Sequence, residues 1–160
     1  VSFYSVPFPD MRYADLLLMA AEAWNEAEET PNEKVYDYLD QVRERAGLEG
    51  IKETYAKYAS VQYKDYPSHK SQMRDIIHRE RQVELSCEGS YYWDTRRWKT
   101  AEKELNRIVQ GWNVLNGETA EDYYIPTNIY NQQFTLRDYF APIPDGDIIR
   151  NPQLVQNPWW

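Results

Sequence analysis

A helical apolar pattern runs through DMRYADLLLMAAEAWNEAEE, residues 10–29. Asp10 is a favourable N-cap, because a short acidic side chain can accept hydrogen bonds from the first free amides of a helix. The apolar side chains that follow recur at helical spacing and share one face. They are Tyr13, Leu16, Leu17, Ala20, Trp24 and Ala27. The stretch therefore predicts an amphipathic helix with a single buried stripe.

A second helix is predicted directly after the first. Thr30 is expected to cap it, with Pro31 at the first helical position and Glu33 closing a capping box. Gly47 is placed to take the left-handed conformation that often ends a helix. The expected core face is Val35, Tyr38, Leu39, Val42 and Ala46. Two helices with so short a connector fold back on each other, so residues 10–47 predict a hairpin of the tetratricopeptide kind, which needs neighbours to bury its face.

Two more helices and a long loop are predicted downstream. Residues 48–67 contain four tyrosines and few aliphatic residues, which favours a long ordered loop with at most a helical turn. A third helix is expected from Ser68 or Ser71 to Glu88, where Gly89 ends it. A fourth is expected from about Tyr92 to Val109. The predicted fold is therefore mainly α, a tetratricopeptide-like hairpin with further helices and long ordered loops.

The last part of the chain is predicted to be irregular but ordered. Beyond Gly111 the sequence turns to Asn, Gln, Tyr and Pro without a sustained period. Prolines between Tyr139 and Pro158 fix an extended backbone, and amide side chains there can satisfy backbone groups that no sheet serves. We expect a proline-rich C-terminal strap. Its apolar anchors into the helical body would be Ile143, Ile148, Leu154 and Val155.

Charge and composition exclude several classes of protein. The 160 residues carry 18 Lys and Arg against 26 Asp and Glu, a formal net charge of -8, which disfavours binding to nucleic acid. No apolar run approaches the roughly 20 residues of a membrane-spanning helix. Cys87 is the single cysteine, so an internal disulfide is excluded. The length predicts one domain.

A group of acidic residues raises the question of glycoside hydrolysis. Glu80, Glu84 and Glu88 lie four residues apart on one helix face, whereas the two acids of a glycosidase must flank their substrate from opposite sides. We therefore expect a structural ion-pair network with nearby arginines, among them Arg79 and Arg96, joining the third helix to the fourth. The predicted members are Glu80, Arg81, Glu84, Glu88, Asp94 and Arg97.

No catalytic, metal or cofactor site is predicted. His69 and His78 are nine residues apart without acids or a thiol at a familiar metal-ligand spacing. Cys87 lacks the surroundings of a nucleophile. The 6 glycines are scattered and form no phosphate-binding loop. We expect no catalytic residue, no metal and no cofactor.

Four motifs spread over nearly the whole chain resemble the C-terminal part of the SusD/RagB family of nutrient-binding outer-membrane lipoproteins. The first is RYADLLLMAAEA at residues 12–23 with Asn25-Glu26, and the second is YLDQVRERAGL at residues 38–48. The third joins ERQVEL at residues 80–85 to Glu88-Gly89, Trp93-Asp94 and Arg97-Trp98. The fourth is Pro142-Ile143-Pro144 with Asn151-Pro152 and Gln156-Asn157-Pro158. Together they are far more specific than any one alone.

The resemblance implies a function and an address. Members bind glycan or peptide nutrients without catalysis and cap a SusC-like TonB-dependent transporter in polysaccharide utilisation. They are held at the cell surface on the outer membrane by an N-terminal lipid anchor, which the resemblance places upstream of residue 1. Residues 1–160 would then be a single SusD-like C-terminal domain of a larger protein, mainly scaffold and partner interface.

The candidates for ligand binding rest on ring type and loop position. Tyrosine and tryptophan combine a large apolar face with a polar group, which suits the stacking of sugar rings. The candidates are Tyr58, Tyr63, Tyr66, Trp112, Tyr123 and Tyr124, and simple packing is the alternative for each. Two other functions stay open. One is a helical-repeat module that binds a protein or peptide in the groove of its hairpin, which requires an exposed apolar or Asn-rich inner face on the first helix, and the other is a carbohydrate-active enzyme.

Overall fold

The computed structural model describes residues 11–115 and 117–160, and it is mainly helical as predicted. Its contacts divide the chain into two compact units, Val1–Tyr91 and Tyr92–Trp160. The helices are α1 Tyr13–Ala27, α2 Glu33–Arg45, α3 Ile51–Tyr58, α4 Lys70–Glu84, α5 Ser90–Arg97, α6 Ala101–Leu105, α7 Ala120–Tyr123 and α8 Asp145–Arg150. The strands are β1 Arg107–Trp112 and β2 Pro126–Gln132.

The first unit is built on α1, which packs against both α2 and α4. The predicted stripe of α1 is only partly buried, since Tyr13 and Leu16 are 68% and 50% exposed. The stripe that faces the core is Ala14, Leu17, Leu18 and Ala21. Leu39 of α2 and Ile77 of α4 meet it in the same core. Burying a Leu or Ile side chain contributes about 1.5–3 kcal/mol, so this three-helix contact is the main source of stability in the unit.

The α1–α2 hairpin is confirmed, but its caps differ from the prediction. Arg12 occupies the N-cap position of α1, and Asp10 lies outside the described residues. The cap of α2 is Asn32 rather than Thr30, because the Asn32 side chain accepts hydrogen bonds from the amides of Lys34 and Val35 at 3.0 and 3.3 Å. The predicted helix start was therefore two residues too early.

Gly47 ends α2 as predicted. Its φ of +76° lies in the left-handed region, where a side chain would be strained. The Leu48 amide then donates to the Arg43 carbonyl at 2.9 Å, which is the bond that closes a Schellman motif.

Residues 48–67 are more helical than expected. The helix α3 is followed by two short 3₁₀ turns, Val61–Tyr63 and Tyr66–Ser68. The start of α3 is held by Asp40, whose Oδ1 accepts a hydrogen bond from the Ile51 amide at 2.8 Å, and Ile51 is 1% exposed. One buried isoleucine and a tertiary hydrogen bond fix this helix, and neither is visible as a sequence period.

The helix α4 is shorter than predicted, and its first residue contacts the end of α1. It ends at Glu84 rather than Glu88. At its start, the Lys70 ammonium group donates to the carbonyls of Glu26 and Glu28 at 2.7 and 2.8 Å. Carbonyls at the end of a helix lack intrahelical partners and attract cations, so Lys70 joins the start of α4 to the end of α1.

In the second unit, the prediction of one helix from Tyr92 to Val109 is wrong. The segment is broken into α5 and α6, with Lys99 between them at a φ of +57°, and the chain enters β1 at Arg107. The β-branched residues Ile108 and Val109 favour a strand, and pairing with β2 outweighs the helical pattern that precedes them.

The two strands form an antiparallel hairpin with an irregular register. Val109 pairs with Tyr130 while Gln110 pairs with Asn128, so Ile129 is an extra residue on β2. This is a β-bulge, which locally changes the face that a strand presents.

The C-terminal strap is stabilised by amide side chains as predicted. Gln156 accepts from the Ile143 amide at 2.8 Å and donates to the Ile143 carbonyl at 2.9 Å, and Asn157 donates to the Ala141 carbonyl. The strap also contains α8 and a 3₁₀ turn, Leu136–Tyr139. Val155 is 83% exposed, so its prediction as an apolar anchor is wrong.

Candidate functional site

The predicted tyrosines of the first unit lie in different environments: Tyr58 ends α3, and Tyr63 and Tyr66 lie in the two 3₁₀ turns that follow. The rings of Tyr63 and Tyr66 meet edge to face with centroids 4.9 Å apart, and Tyr66 stacks near Tyr55 at 6.5 Å. Tyr66 packs against the core, whereas Tyr58 is 68% exposed. The structure thus brings Tyr63 and Tyr66 together and leaves Tyr58 apart from them.

Burial changes the pKa of Tyr55, the ring that stacks near Tyr66. Burial raises the pKa of Tyr55, and the nearby Glu80 carboxylate adds to the effect because it disfavours a second negative charge. Tyr55 therefore stays a neutral phenol at physiological pH. Tyr66 supports it by packing, so the exposed edge of Tyr63 is the part of the cluster that a ligand could reach.

The three predicted aromatic residues of the second unit do come together. Trp112 ends β1, and Tyr123 and Tyr124 lie at the end of α7. The Trp112 and Tyr124 rings meet edge to face at 5.5 Å, and Tyr123 meets Tyr124 at 5.1 Å. Edge-to-face pairs of this kind stabilise ring positions beyond area burial. The result is a continuous row of three rings, of which Trp112 is 51% exposed.

The loop that carries the tyrosines is fixed to the strand. The Asn113 amide donates to the Tyr123 carbonyl at 3.0 Å, and Thr119 caps α7 by accepting from the Asp122 amide. A Cβ on Gly117 would lie 2.6 Å from the Tyr123 Cα, so glycine is required where the loop passes Tyr123. Trp112 therefore rests on a preorganised support.

Two clefts open beside Trp112. The larger, about 470 Å³, is lined by Trp112, Asn113, Val114, Leu115, Thr127, Asn128 and Ile129. The smaller, about 310 Å³, is lined by Gln110, Gly111, Trp112 and Pro126. These volumes are within the range of small-molecule sites, and Gln110 and Asn128 are polar residues that the sequence did not single out. A bulge that no periodicity reveals pairs these two residues across the strands, so that Gln110 borders the smaller cleft and Asn128 the larger.

The acidic residues in and just after α4 pair with arginines of α2 and with Arg12, which precedes α1. Glu84 lies 2.9 Å from Arg12 and 2.7 Å from Arg45, and Glu80 contacts Arg43. Glu88 lies 2.7 Å from Arg12. These partners differ from the arginines of α4 and α5 that the sequence suggested, although all of them compensate the carboxylates in place.

The remaining members of the predicted network are also ion-paired. Arg81, which is 4% exposed, lies 2.8 Å from Asp15 of α1, and Asp94 lies 2.8 Å from Arg97 one turn along α5. The described ion pairs of α4 therefore run to α1, α2 and the residue before α1, whereas Asp94 pairs within α5. That this network stabilises the fold stays a prediction.

Residues 11–115 and 117–160 contain neither a metal-binding cluster nor a membrane-spanning helix. Within these ranges no three His, Cys, Asp or Glu side chains are grouped so that they could hold a metal ion. No helix in the same ranges has the length and apolar character needed to cross a membrane.

Comparison with known proteins identifies the family. The SusD family model matches residues 1–160. The chain belongs to the SusD family. The resemblance carried by the four sequence motifs is thereby confirmed.

SusD-family relatives support the fold along nearly the whole chain. SusD-like protein P2 of Formosa agariphila is 31% identical over 153 residues, covering 96% of this chain and 26% of the relative. A structure named BT4246 has a TM-score of 0.77 at 29% identity, covering 98% of this chain and 24% of the other. Surface glycan-binding protein A from Bacteroides uniformis has a TM-score of 0.57 at 26% identity, covering 91% of this chain and 26% of the other.

The match is therefore to one part of longer SusD-family proteins. The chain spans 26% of the length of the first curated relative and 23% of the second.

Proposed function

We propose that this chain is the C-terminal domain of a larger cell-surface protein that binds glycan nutrients without catalysis. The observation that carries the proposal is the SusD family match over residues 1–160, together with a structural relative named as a surface glycan-binding protein. The protein is lipid-anchored to the outer membrane through an upstream segment and delivers its glycan to a SusC-like TonB-dependent transporter.

Within that protein, residues 1–160 act mainly as scaffold and partner interface. The α1–α2–α4 core and its arginine–carboxylate pairs support a rigid body, because a charge-assisted hydrogen bond is stronger and more directional than a neutral one. The paired acids fit this role better than a hydrolytic one, since a catalytic pair faces substrate from two sides. The exposed rings of Trp112 and Tyr63 are the parts of the domain that fit a sugar contact.

Calorimetry on the full-length protein tests this function. Maltoheptaose, xylohexaose and laminarihexaose are titrated in turn, and each mixture is then analysed for shortened products. We expect saturable binding of at least one glycan with no cleavage, and co-purification of a TonB-dependent transporter from native outer membranes. Cleavage of a bound glycan would contradict the non-enzymatic role. Failure to bind any glycan from this set and from a broader glycan array, with no transporter recovered, would overturn the proposal.

A second candidate function is the binding of a protein or peptide along α1. Tyr13 and Leu16 on its outer face are 68% and 50% exposed. Beside them a cleft of about 570 Å³ is lined by Arg12, Tyr13, Ala14, Leu17, Gln41, Val42, Glu44 and Arg45. Exposed apolar side chains rimmed by charges are typical of protein interfaces.

A charged side chain on the outer face of α1 distinguishes glycan binding from the binding of a protein or peptide along this helix. We expect Leu16→Asp to abolish co-purification of a protein partner and to leave glycan affinity unchanged if α1 is the interface. A circular dichroism melt of the variant shows whether it is folded, and Glu29→Lys, on the exposed surface after α1, is the matched control. Unaltered partner recovery with Leu16→Asp contradicts the second candidate.

A further inference from the structure

The bulge in β2 builds a polar face on the β-hairpin. In a regular antiparallel register Gln110 would lie opposite Ile129, and Asn128 would point to the other side of the sheet. The extra residue places Asn128 opposite Gln110 instead, and Gln110 Nε2 donates to Asn128 Oδ1 at 2.9 Å. Bulges often re-aim one side chain at a functional position. The strand pairing here has been shifted by one residue, and an amide pair results.

The same alternation places Trp112 beside this amide pair. Trp112 is two residues along β1 from Gln110 and pairs with Pro126 of β2. We use the name amide face for the side of the hairpin that contains Ile108, Gln110, Trp112, Pro126, Asn128 and Asn131. It combines one large exposed ring with a row of uncharged hydrogen-bonding groups.

We propose that the amide face is a subsite for a neutral oligosaccharide, with Trp112 stacking on a pyranose ring and the Gln110 and Asn128 amides hydrogen-bonding its hydroxyl groups. The inference rests on the proposed glycan-binding function and assigns a location to it within this chain. An amide side chain can donate and accept hydrogen bonds, and so can a sugar hydroxyl. The bond between Gln110 and Asn128 therefore leaves other donors and acceptors of the two amides available.

The lining of the clefts specifies an uncharged ligand. None of the described residues that line the two clefts beside Trp112 is charged. A phosphate or carboxylate ligand would require a cation, which these linings do not supply. An extended apolar ligand fits poorly too, because Gln110, Asn113 and Asn128 would lose water without gaining partners. A sugar ring has one apolar face and a polar rim, which match the ring and the amides.

The edge-to-face contact of Trp112 with Tyr124 restricts the Trp112 ring, although both rings are exposed, at 51% and 62%. Tyr124 contacts the Trp112 ring edge to face and is itself held by Tyr123. A ring that is fixed before binding loses little side-chain entropy when a ligand stacks on it. The row of rings therefore positions Trp112, and the amides set the orientation of the ligand.

The test compares two faces of one hairpin in the full-length protein. Trp112→Ala removes the stacking ring, and Tyr130→Ala removes a ring of similar exposure, 54%, whose partner Val109 lies on the opposite face. Calorimetry uses whichever of maltoheptaose, xylohexaose and laminarihexaose binds the wild type. We expect Trp112→Ala to weaken affinity by about 10-fold or more, as for loss of one stacked ring, and Tyr130→Ala to change it by less than about 2-fold.

If Trp112→Ala does not fold, substitutions of the two amide residues still test the inference. Gln110→Ala and Asn128→Ala each remove hydrogen bonds at exposed positions, and we expect each to weaken affinity by about 3-fold to 10-fold. If the wild type binds a glycan and Trp112→Ala or both amide variants bind it equally well, the amide face is not the subsite. If the wild type binds no glycan at all, the proposed function itself fails.

Discussion

The carboxylate of Glu84 lies 2.9 Å from Nη1 of Arg12 and joins the last residue of α4 to the residue that precedes α1. The Arg12 fork also donates to the backbone carbonyl of Glu84 at 2.8 Å. The hydrogen bonds to the carboxylates of Glu88 and Glu84 raise the pKa of Arg12 and so favour its charged form. The guanidinium group of Arg12 thus binds a residue that is 72 positions away in the sequence.

Glu84→Gln tests whether this junction stabilises the domain. The Glu84 side chain is 12% exposed and accepts from both Arg12 and Arg45, so loss of its charge weakens two charge-assisted hydrogen bonds. We expect the free energy of unfolding to fall by about 1–3 kcal/mol, measured by urea denaturation. Glu88→Gln is the control, because Glu88 is 42% exposed and should cost less. Equal stability of the Glu84 variant and the wild type would contradict the network hypothesis.

Arg43→Lys tests how far the fork shape of arginine matters. Arg43 donates to the Glu49 carbonyl and to Thr54 Oγ1, both at 2.9 Å, and also contacts Glu80. A lysine keeps the charge but cannot reach three partners in this geometry. We expect a loss of about 1–3 kcal/mol in the free energy of unfolding.

Arg45→Lys is the matched control for that substitution. Arg45 lies on the same helix, its side chain is 60% exposed, and it pairs with Glu84 alone among the described contacts. We expect a change of less than about 1 kcal/mol, as for a surface ion pair. If both lysine variants lose the same stability, the three-partner geometry of the Arg43 guanidinium group does not explain the loss.

The pair between Glu26 and Arg74 should make stability depend on acidic pH. The hydrogen bonds from Arg74 lower the pKa of Glu26 below its ordinary value of 4.5. A lowered carboxylate pKa stabilises the folded state above the unfolded pKa, and the effect is lost as the pH falls through the folded pKa. The stability gap between wild type and Glu26→Gln should therefore be full at pH 7 and shrink below pH 4.5.

Thermal melts of wild type and Glu26→Gln between pH 7 and pH 3 check the prediction about acid. Arg74→Gln removes the same pair from the other side, so its gap to the wild type should shrink over the same range. A gap that widens on acidification for either variant would show that the sign is wrong.

Two glycine substitutions should change the free energy of unfolding in opposite directions. Gly47 has a φ of +76°, so Gly47→Ala is expected to destabilise by about 1 kcal/mol although no atom lies near its Cβ. Gly146 has equal space around its Cβ but sits within α8, where alanine is favoured over glycine. Gly146→Ala should stabilise by about 0.5–1 kcal/mol. Urea denaturation of both variants decides, and the same sign for both would contradict the backbone explanation.

The sequence predicts elements whose information is local. The α1–α2 hairpin follows from a regular apolar period, and the turn at Gly47 follows from a residue type that suits one backbone conformation. The cap of α2 was misplaced because Thr30 and Asn32 are both good caps, and the choice depends on where the chain leaves α1. Local rules give two answers there, and packing selects between them.

Elements that depend on distant partners were missed for a physical reason. The helix α3 rests on Asp40 and Ile51, and β1 exists because β2 pairs with it. The candidate site shows the same division: ring type indicated Trp112, Tyr123 and Tyr124, which do meet. Gln110 and Asn128 were not singled out, because one unpaired residue in β2 sets their register. Neither the composition nor the hydrophobic periodicity of the sequence indicates that residue.

The Lys70 contact has a practical consequence for chemical labelling. An ammonium group that donates to two backbone carbonyls must break both bonds before its nitrogen can attack an activated ester, whereas the exposed Lys103 has no such barrier among its described contacts. Amine-directed dyes and surface coupling at limiting reagent should therefore modify Lys103 well before Lys70. Protein immobilised in this way would keep the joint between α1 and α4 intact during a binding measurement.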